Sequence, residues 1–77
     1  MKAFTLNEME NAFEIGRTMQ CMIEDKDIEV VDDKVAFMYA LELAMEFEEK
    51  YPDTEDYYSD LDDFATVKLK AQFGLEG

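Results

Sequence analysis

Apolar residues recur at intervals of three and four in three stretches of the chain, which is typical of amphipathic α-helices. The first stretch follows the letters T-L-N-E at Thr5 to Glu8, which fit the capping box T-x-x-E at a helix start. Phe4 and Met9 are spaced to form a hydrophobic staple around that start. We therefore predict a first helix over about residues 6–24.

One face of this first helix is predicted to be apolar. It consists of Met9, Ala12, Phe13, Gly16, Met19 and Ile23. The opposite side carries Asn11, Glu14 and Thr18. Because a glycine within a helix costs about 1 kcal/mol relative to alanine, we expect the backbone of another element to approach Gly16 closely.

The second stretch is the most apolar part of the chain. Asp32 or Asp33 is placed to cap a helix, and Pro52 ends it because the residue before a proline is pushed out of the helical region. Its first three turns are apolar nearly all round, which is typical of a helix that is central or buried against a second copy. We therefore predict a central apolar helix over about residues 33–51 and favour a homodimer. The predicted solvent-facing stripe of this helix is Glu42, Glu46 and Glu49.

The third stretch predicts a helix over about residues 55–73, capped by Asp53 or Thr54 or capped again at Ser59. Its apolar face contains Leu61, Phe64, Ala65, Leu69 and Phe73. Lys68 falls on the same face, and we expect its ammonium group to reach solvent while its methylene chain packs on apolar neighbours. Gly74 suits the C′ position that follows a helix.

Residues 25–32 form a charged connector whose apolar residues are β-branched. We expect one short extended segment at residues 28–31, and a sheet there would require a second molecule because no other strand is predicted. The predicted fold class is therefore all-α, a small three-helix domain that takes in residues 1–77.

Composition limits the kind of partner. The 77-residue chain has a net charge of −13 and is 48 % hydrophobic, so it is too apolar for a disordered acidic tail. This charge disfavours direct binding to nucleic acid or to an anionic membrane and favours a basic protein surface. Cys21 is the only cysteine, which favours a reducing compartment, and we expect its side chain to be buried or half-buried. Because the start of the chain has no signal-peptide pattern, we expect a cytoplasmic protein.

Several kinds of catalytic and metal site are excluded by residue type. The chain has no histidine, one cysteine and three unclustered glycines, so it lacks the residues for zinc, Ser-His-Asp, Cys-His and phosphate-loop motifs. EF-hand frames that start at Asp25 or Asp53 have neither glycine at the sixth position nor glutamate at the twelfth. We therefore expect no enzyme activity, no cofactor and no specific metal site.

Acidic residues are concentrated in one part of the chain. Ten of the 20 lie between Glu42 and Asp63, where Lys50 is the only cation. Helix capping explains some of them, because anions are favoured at a helix start, and Glu46 with Lys50 fits a stabilising pair one turn apart. The amount is not explained in this way, since a small domain needs a net charge of only about 2–8 for solubility.

Two hypotheses follow for this acidic stretch. In the first, it imitates the charge of nucleic acid, as small phage anti-restriction and anti-CRISPR inhibitors do, and binds the basic surface of a nucleic-acid-handling protein. Tyr57 and Tyr58 either complete the core or, if one of them is exposed, stack on an arginine of the partner. In the second, the acids only solvate a structural or assembly module that binds a partner through the apolar face of the second helix. The candidate partner-binding residues are Glu42, Glu46, Glu49, Asp53, Glu55, Asp56, Tyr57, Tyr58, Asp60, Asp62 and Asp63.

Overall fold

The computed structural model describes residues 5–75 and confirms a small all-helical domain of three helices. They are α1 (Leu6–Glu24), α2 (Asp33–Lys50) and α3 (Tyr57–Phe73). Phe4, half of the predicted staple, lies outside the described residues.

The starts of α1 and α2 follow from side-chain caps. Thr5 and Glu8 form the predicted capping box, in which each side chain accepts a hydrogen bond from the other residue's backbone N–H, at 3.1 and 2.9 Å. Asp32 caps α2 by accepting from the backbone N–H groups of Lys34 and Val35. These bonds satisfy amide groups that have no partner within the first turn of a helix.

The start of α3 differs from the prediction. The cap position is Asp56, whose side chain makes no capping hydrogen bond, so neither Asp53 nor Thr54 fills that role. The physical reason is that the Thr54 hydroxyl donates to the carboxylate of Asp60 in the first turn instead. The helix therefore begins two residues later than predicted.

The connector after α1 lies against the end of α3. Ile28 forms an isolated antiparallel bridge with Gly74, and residues 5–75 contain no longer strand. The N–H of Glu29 donates to the carbonyl of Phe73 at 3.0 Å, and the N–H of Leu75 donates to the carbonyl of Asp27 at 3.3 Å. The extended segment thus finds a partner within its own chain.

Gly74 ends α3 in extended backbone (φ −60°, ψ 142°) rather than in the left-handed C′ conformation. Its small size is still required, because a Cβ at this position would collide with the carbonyl oxygen of Lys70.

The core contains Ile15, Met19 and Met22 of α1, Ile28 of the connector, and residues of both other helices. From α2 and α3 it takes Ala36, Ala40, Leu43, Ala44, Phe47, Leu61, Ala65 and Leu69. Helix α2 supplies the largest share of buried residues, but it is not central as predicted. The central helix is α1, which packs against both other helices, whereas α2 and α3 make little contact with each other. Val35, Phe37 and Met38 at the start of α2 are accordingly exposed instead of covered on all sides. The predicted apolar face of α3 is confirmed, since its members are buried or half-buried.

The buried face of α1 is not the predicted one. Asn11, predicted on the polar side, is only 1 % exposed, whereas Met9, Phe13 and Ile23 are exposed. Asn11 is tolerated in the core because its side chain is fully engaged in hydrogen bonds, described below. Within residues 5–75 the predicted close approach of a backbone to Gly16 is wrong, since a Cβ there would meet nothing within 4 Å.

Two further side chains differ from the prediction in how exposed they are. Cys21 is exposed because it lies on the side of α1 away from Ile15 and Met19. Glu46 is half-buried between α2 and α3, so it does not belong to an open solvent face. Lys68 lies on the apolar face of α3 as predicted, but its ammonium group does not simply extend into solvent. It lies 3.2 Å from Oε2 of Glu46 and 5.7 Å from the centre of the Phe64 ring, because the Glu46 carboxylate attracts it.

Candidate functional site

The acidic stripe of α2 divides into two kinds of residue. Glu42 and Glu49 are exposed, and among residues 5–75 neither has a cation within 4 Å. Oε2 of Glu46, by contrast, lies 3.2 Å from Nζ of Lys68 and 3.5 Å from Nζ of Lys50. Burial acts to raise the pKa of Glu46, but contact with these two ammonium groups outweighs it and holds the pKa below its ordinary value. Glu46 therefore joins α2 to α3, and the two lysines offset its negative charge.

The connector between α2 and α3 and the start of α3 hold the other acids. Asp53, Glu55 and Asp56 are exposed and make no ion pair within the described chain, and the same is true of Asp63. Asp60 accepts the hydrogen bond from Thr54. Asp62 is exposed and accepts from the hydroxyl of Thr18 on α1 at 3.2 Å. Six candidates remain fully available to a partner: Glu42, Glu49, Asp53, Glu55, Asp56 and Asp63.

A buried polar network fixes Tyr57 in place. Its hydroxyl donates to Oδ1 of Asn11 at 2.5 Å. Nδ2 of Asn11 donates to the carbonyl of Ala44 at 3.2 Å and to Oε2 of Glu48 at 3.4 Å. Because these groups come from α1, α2 and α3, the network sets the angle at which the first turn of α3 meets the other two helices.

The two tyrosines have different environments. Tyr57 is half-buried, and burial raises its pKa, with further increases from the negative charges of Glu14 and Glu10. Tyr58 is 68 % exposed and packs edge-on against the Tyr57 ring with centroids 5.0 Å apart. One tyrosine thus belongs to the core, while the other presents an aromatic face to solvent.

A depression of about 400 Å³ lies between α1 and the start of α3. A second one, about 370 Å³, shares Glu14 and Tyr58 with it and extends to Asp62. We call the combined surface the acidic-aromatic groove and define it by Glu10, Glu14, Tyr57, Tyr58 and Asp62. Carboxylates beside an exposed aromatic ring are suited to a guanidinium or ammonium group, which the carboxylates attract and the ring face stabilises.

The sequence did not reveal the part that α1 plays in this groove. Glu10 and Glu14 stand one turn apart on α1, a spacing that places them on one helix face. That they meet Tyr58 depends on how α1 packs against α3, which helical periodicity does not specify. Glu14 is half-buried and pairs with Arg17 at 3.8 Å. Because the guanidinium group is mostly exposed, this ion pair is weak.

Two other kinds of site were sought in the structure. Within residues 5–75, no three carboxylate or thiol groups converge in a way that could hold a metal ion. None of the described helices is long and apolar enough to cross a membrane.

Comparison with protein-family models, with curated proteins and with solved structures finds no significant match to this chain.

Proposed function

We propose that this protein is a non-enzymatic inhibitor or regulator that binds a basic surface of a nucleic-acid-handling protein. In this proposal it acts partly by imitating nucleic-acid charge, as phage anti-restriction and anti-CRISPR proteins do. The observation that carries the proposal is that six carboxylates between Glu42 and Asp63 are exposed and unpaired within the described chain. Like charges so close together destabilise the fold, so binding to a partner explains these carboxylates better than a contribution to stability does.

Charge spacing supports the use of more than one element. Glu42 and Glu49 are seven residues apart, or about 10 Å along the helix axis. A DNA strand carries one phosphate per about 3.4 Å, so α2 alone is too sparse to imitate it. The exposed acids of residues 53–56 and Asp63 add charge beyond the end of α2.

The acidic-aromatic groove supplies the specificity in this proposal. A lysine or arginine of the partner would lie between Glu10 and Glu14 and over the exposed ring of Tyr58. The free carboxylates would steer the approach of the basic surface, and the groove would then hold one of its cations.

Charge neutralisation tests the proposal with a matched control. The triple variant Asp53→Asn, Glu55→Gln and Asp56→Asn should bind its partner at least about tenfold more weakly. The control variant neutralises three exposed acids in the other connector, at Asp25, Asp27 and Glu29, and so removes the same number of negative charges. Equal losses in both variants would mean that only total charge matters, and no loss in either would contradict the proposal.

A second function is favoured by a different observation. Val35, Phe37 and Met38 are exposed near the start of α2. These side chains suit an assembly module that binds another protein through the apolar face of α2. Phe37→Asp would then abolish binding, while the triple neutralisation at residues 53–56 would leave it intact.

A further inference from the structure

An apolar groove of about 440 Å³ runs between α1 and α2, on the side of α1 that the core leaves free. We call it the α1–α2 groove. Its lining includes Ala12, Phe13, Gly16, Ala36, Phe37 and Ala40. Most of the exposed area in it is apolar, and a contiguous apolar surface of this kind marks an interaction site more often than a plain solvent face.

The groove combines a recess with projecting aromatic rings. Gly16 leaves open space, since a Cβ there would meet nothing within 4 Å. Phe13 and Phe37 beside it are 67 % and 64 % exposed. A glycine lowers helix stability, and none of the described residues occupies the space that it leaves. A two-fold interface must be complementary to itself, and a surface that carries both a recess and a projecting ring has the two parts that this requires.

Charge also favours a second copy over an unrelated partner. The chain carries a net charge of −13, yet the lining of the groove contains one carboxylate, Asp33, and one cation, Arg17. Two copies that met through the acidic stretch would repel each other, whereas here the contact is locally neutral. Arg17 belongs to α1 and Asp33 to α2, and a two-fold contact that brings Arg17 of one copy to Asp33 of the other makes the same pair twice. The contact of Arg17 with Glu14 of its own chain is long, at 3.8 Å, so it does not prevent this pairing.

A stable contact needs more surface than the groove itself offers. A standard interface buries about 800 Å² on each partner, which is about one-seventh of the 5709 Å² that the chain exposes. Among the described residues twelve line the groove, fewer than the roughly 20–30 that such an interface takes from each partner, and exposed Val35 and Met38 lie near Phe37 along α2. The contact can therefore extend from the groove to its apolar margins.

We propose that the α1–α2 groove is the interface of a two-fold symmetric homodimer. An aromatic side chain of each copy packs over Gly16 of the other, and Arg17 of each pairs with Asp33 of the other. This assignment does not depend on the function proposed above, because the acidic-aromatic groove and the α1–α2 groove share only Phe13 among their lining residues.

Sedimentation equilibrium at chain concentrations from about 1 µM to about 1 mM tests the dimer. A Cβ at Gly16 meets nothing within 4 Å, so Gly16→Leu extends its side chain from there into the recess. It should weaken dimerisation at least about tenfold while keeping the helix content of the monomer. Phe37→Asp should do the same. Its matched control is Val67→Asp, which adds the same charge at an apolar α3 residue that is 68 % exposed and outside the groove.

A charge exchange tests the two-fold pairing. Arg17→Asp and Asp33→Arg, each alone, place like charges opposite each other twice per dimer and should each weaken dimerisation about tenfold. A mixture of the two variants restores both pairs and should form a heterodimer at wild-type strength. If the mixture associates no better than either variant alone, the pairing is wrong.

Salt separates this proposal from the proposed function. Because both copies are acidic, dimerisation should strengthen as NaCl rises from about 0.05 to about 0.5 M, whereas binding to a basic partner should weaken. A wild-type chain that stays monomeric at every salt concentration would overturn the homodimer. The homodimer would also be overturned if Gly16→Leu and Phe37→Asp left dimerisation unchanged, or if the groove bound only an amphipathic helix of another protein.

Discussion

Replacing Asn11 by alanine should destabilise the protein by about 2–4 kcal/mol. Asn11 is 1 % exposed and is hydrogen-bonded to Ala44, Glu48 and Tyr57. The alanine would remove the hydrogen bond from Asn11 to the carbonyl of Ala44, which keeps its bond within α2. It would also leave the half-buried hydroxyl of Tyr57 without this acceptor, and such unsatisfied groups are costly.

The magnitude follows from the three hydrogen bonds. Each of the two neutral bonds, to Ala44 and from Tyr57, contributes about 1 kcal/mol. The bond to the carboxylate of Glu48 is long at 3.4 Å and half-buried, so it adds less than a short charged bond would. A chain of 77 residues has a total stability of roughly 4–12 kcal/mol, so the loss is a large fraction of it.

Urea unfolding followed by circular dichroism measures the effect, provided that the m-value is unchanged. Asn7→Ala is the matched control, since Asn7 also donates to Glu48, at 3.3 Å, but is exposed. It should change stability by less than about 0.5 kcal/mol. Tyr57→Phe should cost about 1 kcal/mol, and the double variant should cost less than the sum by a coupling energy near 1 kcal/mol. Additive losses, or an Asn11→Ala effect as small as the control, would refute the network.

Three further predictions concern glycine, pH and salt. In dilute monomer, Gly16→Ala should raise stability by up to about 1 kcal/mol through helix propensity, whereas Gly74→Ala should lower it because its Cβ collides with Lys70. Thermal melts compare the two variants, and melting temperatures that shift in the same direction would contradict this prediction. Because the pKa of Glu46 is lowered by folding, its contribution is present above its unfolded pKa and lost as pH falls through the folded value. The stability difference between wild type and Glu46→Gln in urea should therefore shrink in acid, and a difference that grew would count against the ion pair. Because the carboxylates repel one another, the melting temperature should rise as NaCl increases from about 0.05 to about 0.5 M, and a fall would contradict that account.

Local sequence signals predicted the helices well. The bounds of α1 and the caps of α1 and α2 depend on hydrogen bonds between residues two to three apart in the chain, which short motifs encode directly. The predicted start of α3 was wrong because the Thr54 side chain bonds to Asp60. This contact competes with capping and leaves no motif in the sequence.

The features that the sequence did not predict depend on how the three helices pack against one another. Helix α1 has two apolar stripes, and periodicity alone does not say which one is buried. The chain buries the stripe with Ile15 and Met22, together with Asn11, and leaves Phe13 exposed. Glu10 and Tyr58 likewise line one groove only because α1 packs on α3. The acidic excess was visible in the sequence, but the structure separates exposed acids such as Asp53 from paired ones such as Glu46.

The central claim is that the free carboxylates bind a basic surface, and the salt dependence of that binding tests it most directly. The protein is used as bait at low salt to capture its partner, and the dissociation constant of the purified pair is then measured from about 0.05 to about 0.5 M NaCl. We predict a basic, nucleic-acid-handling partner, competition by that partner's nucleic acid, and an affinity that falls steeply with salt. An affinity that hardly changes with salt, or a partner with an acidic surface, would contradict the proposed function.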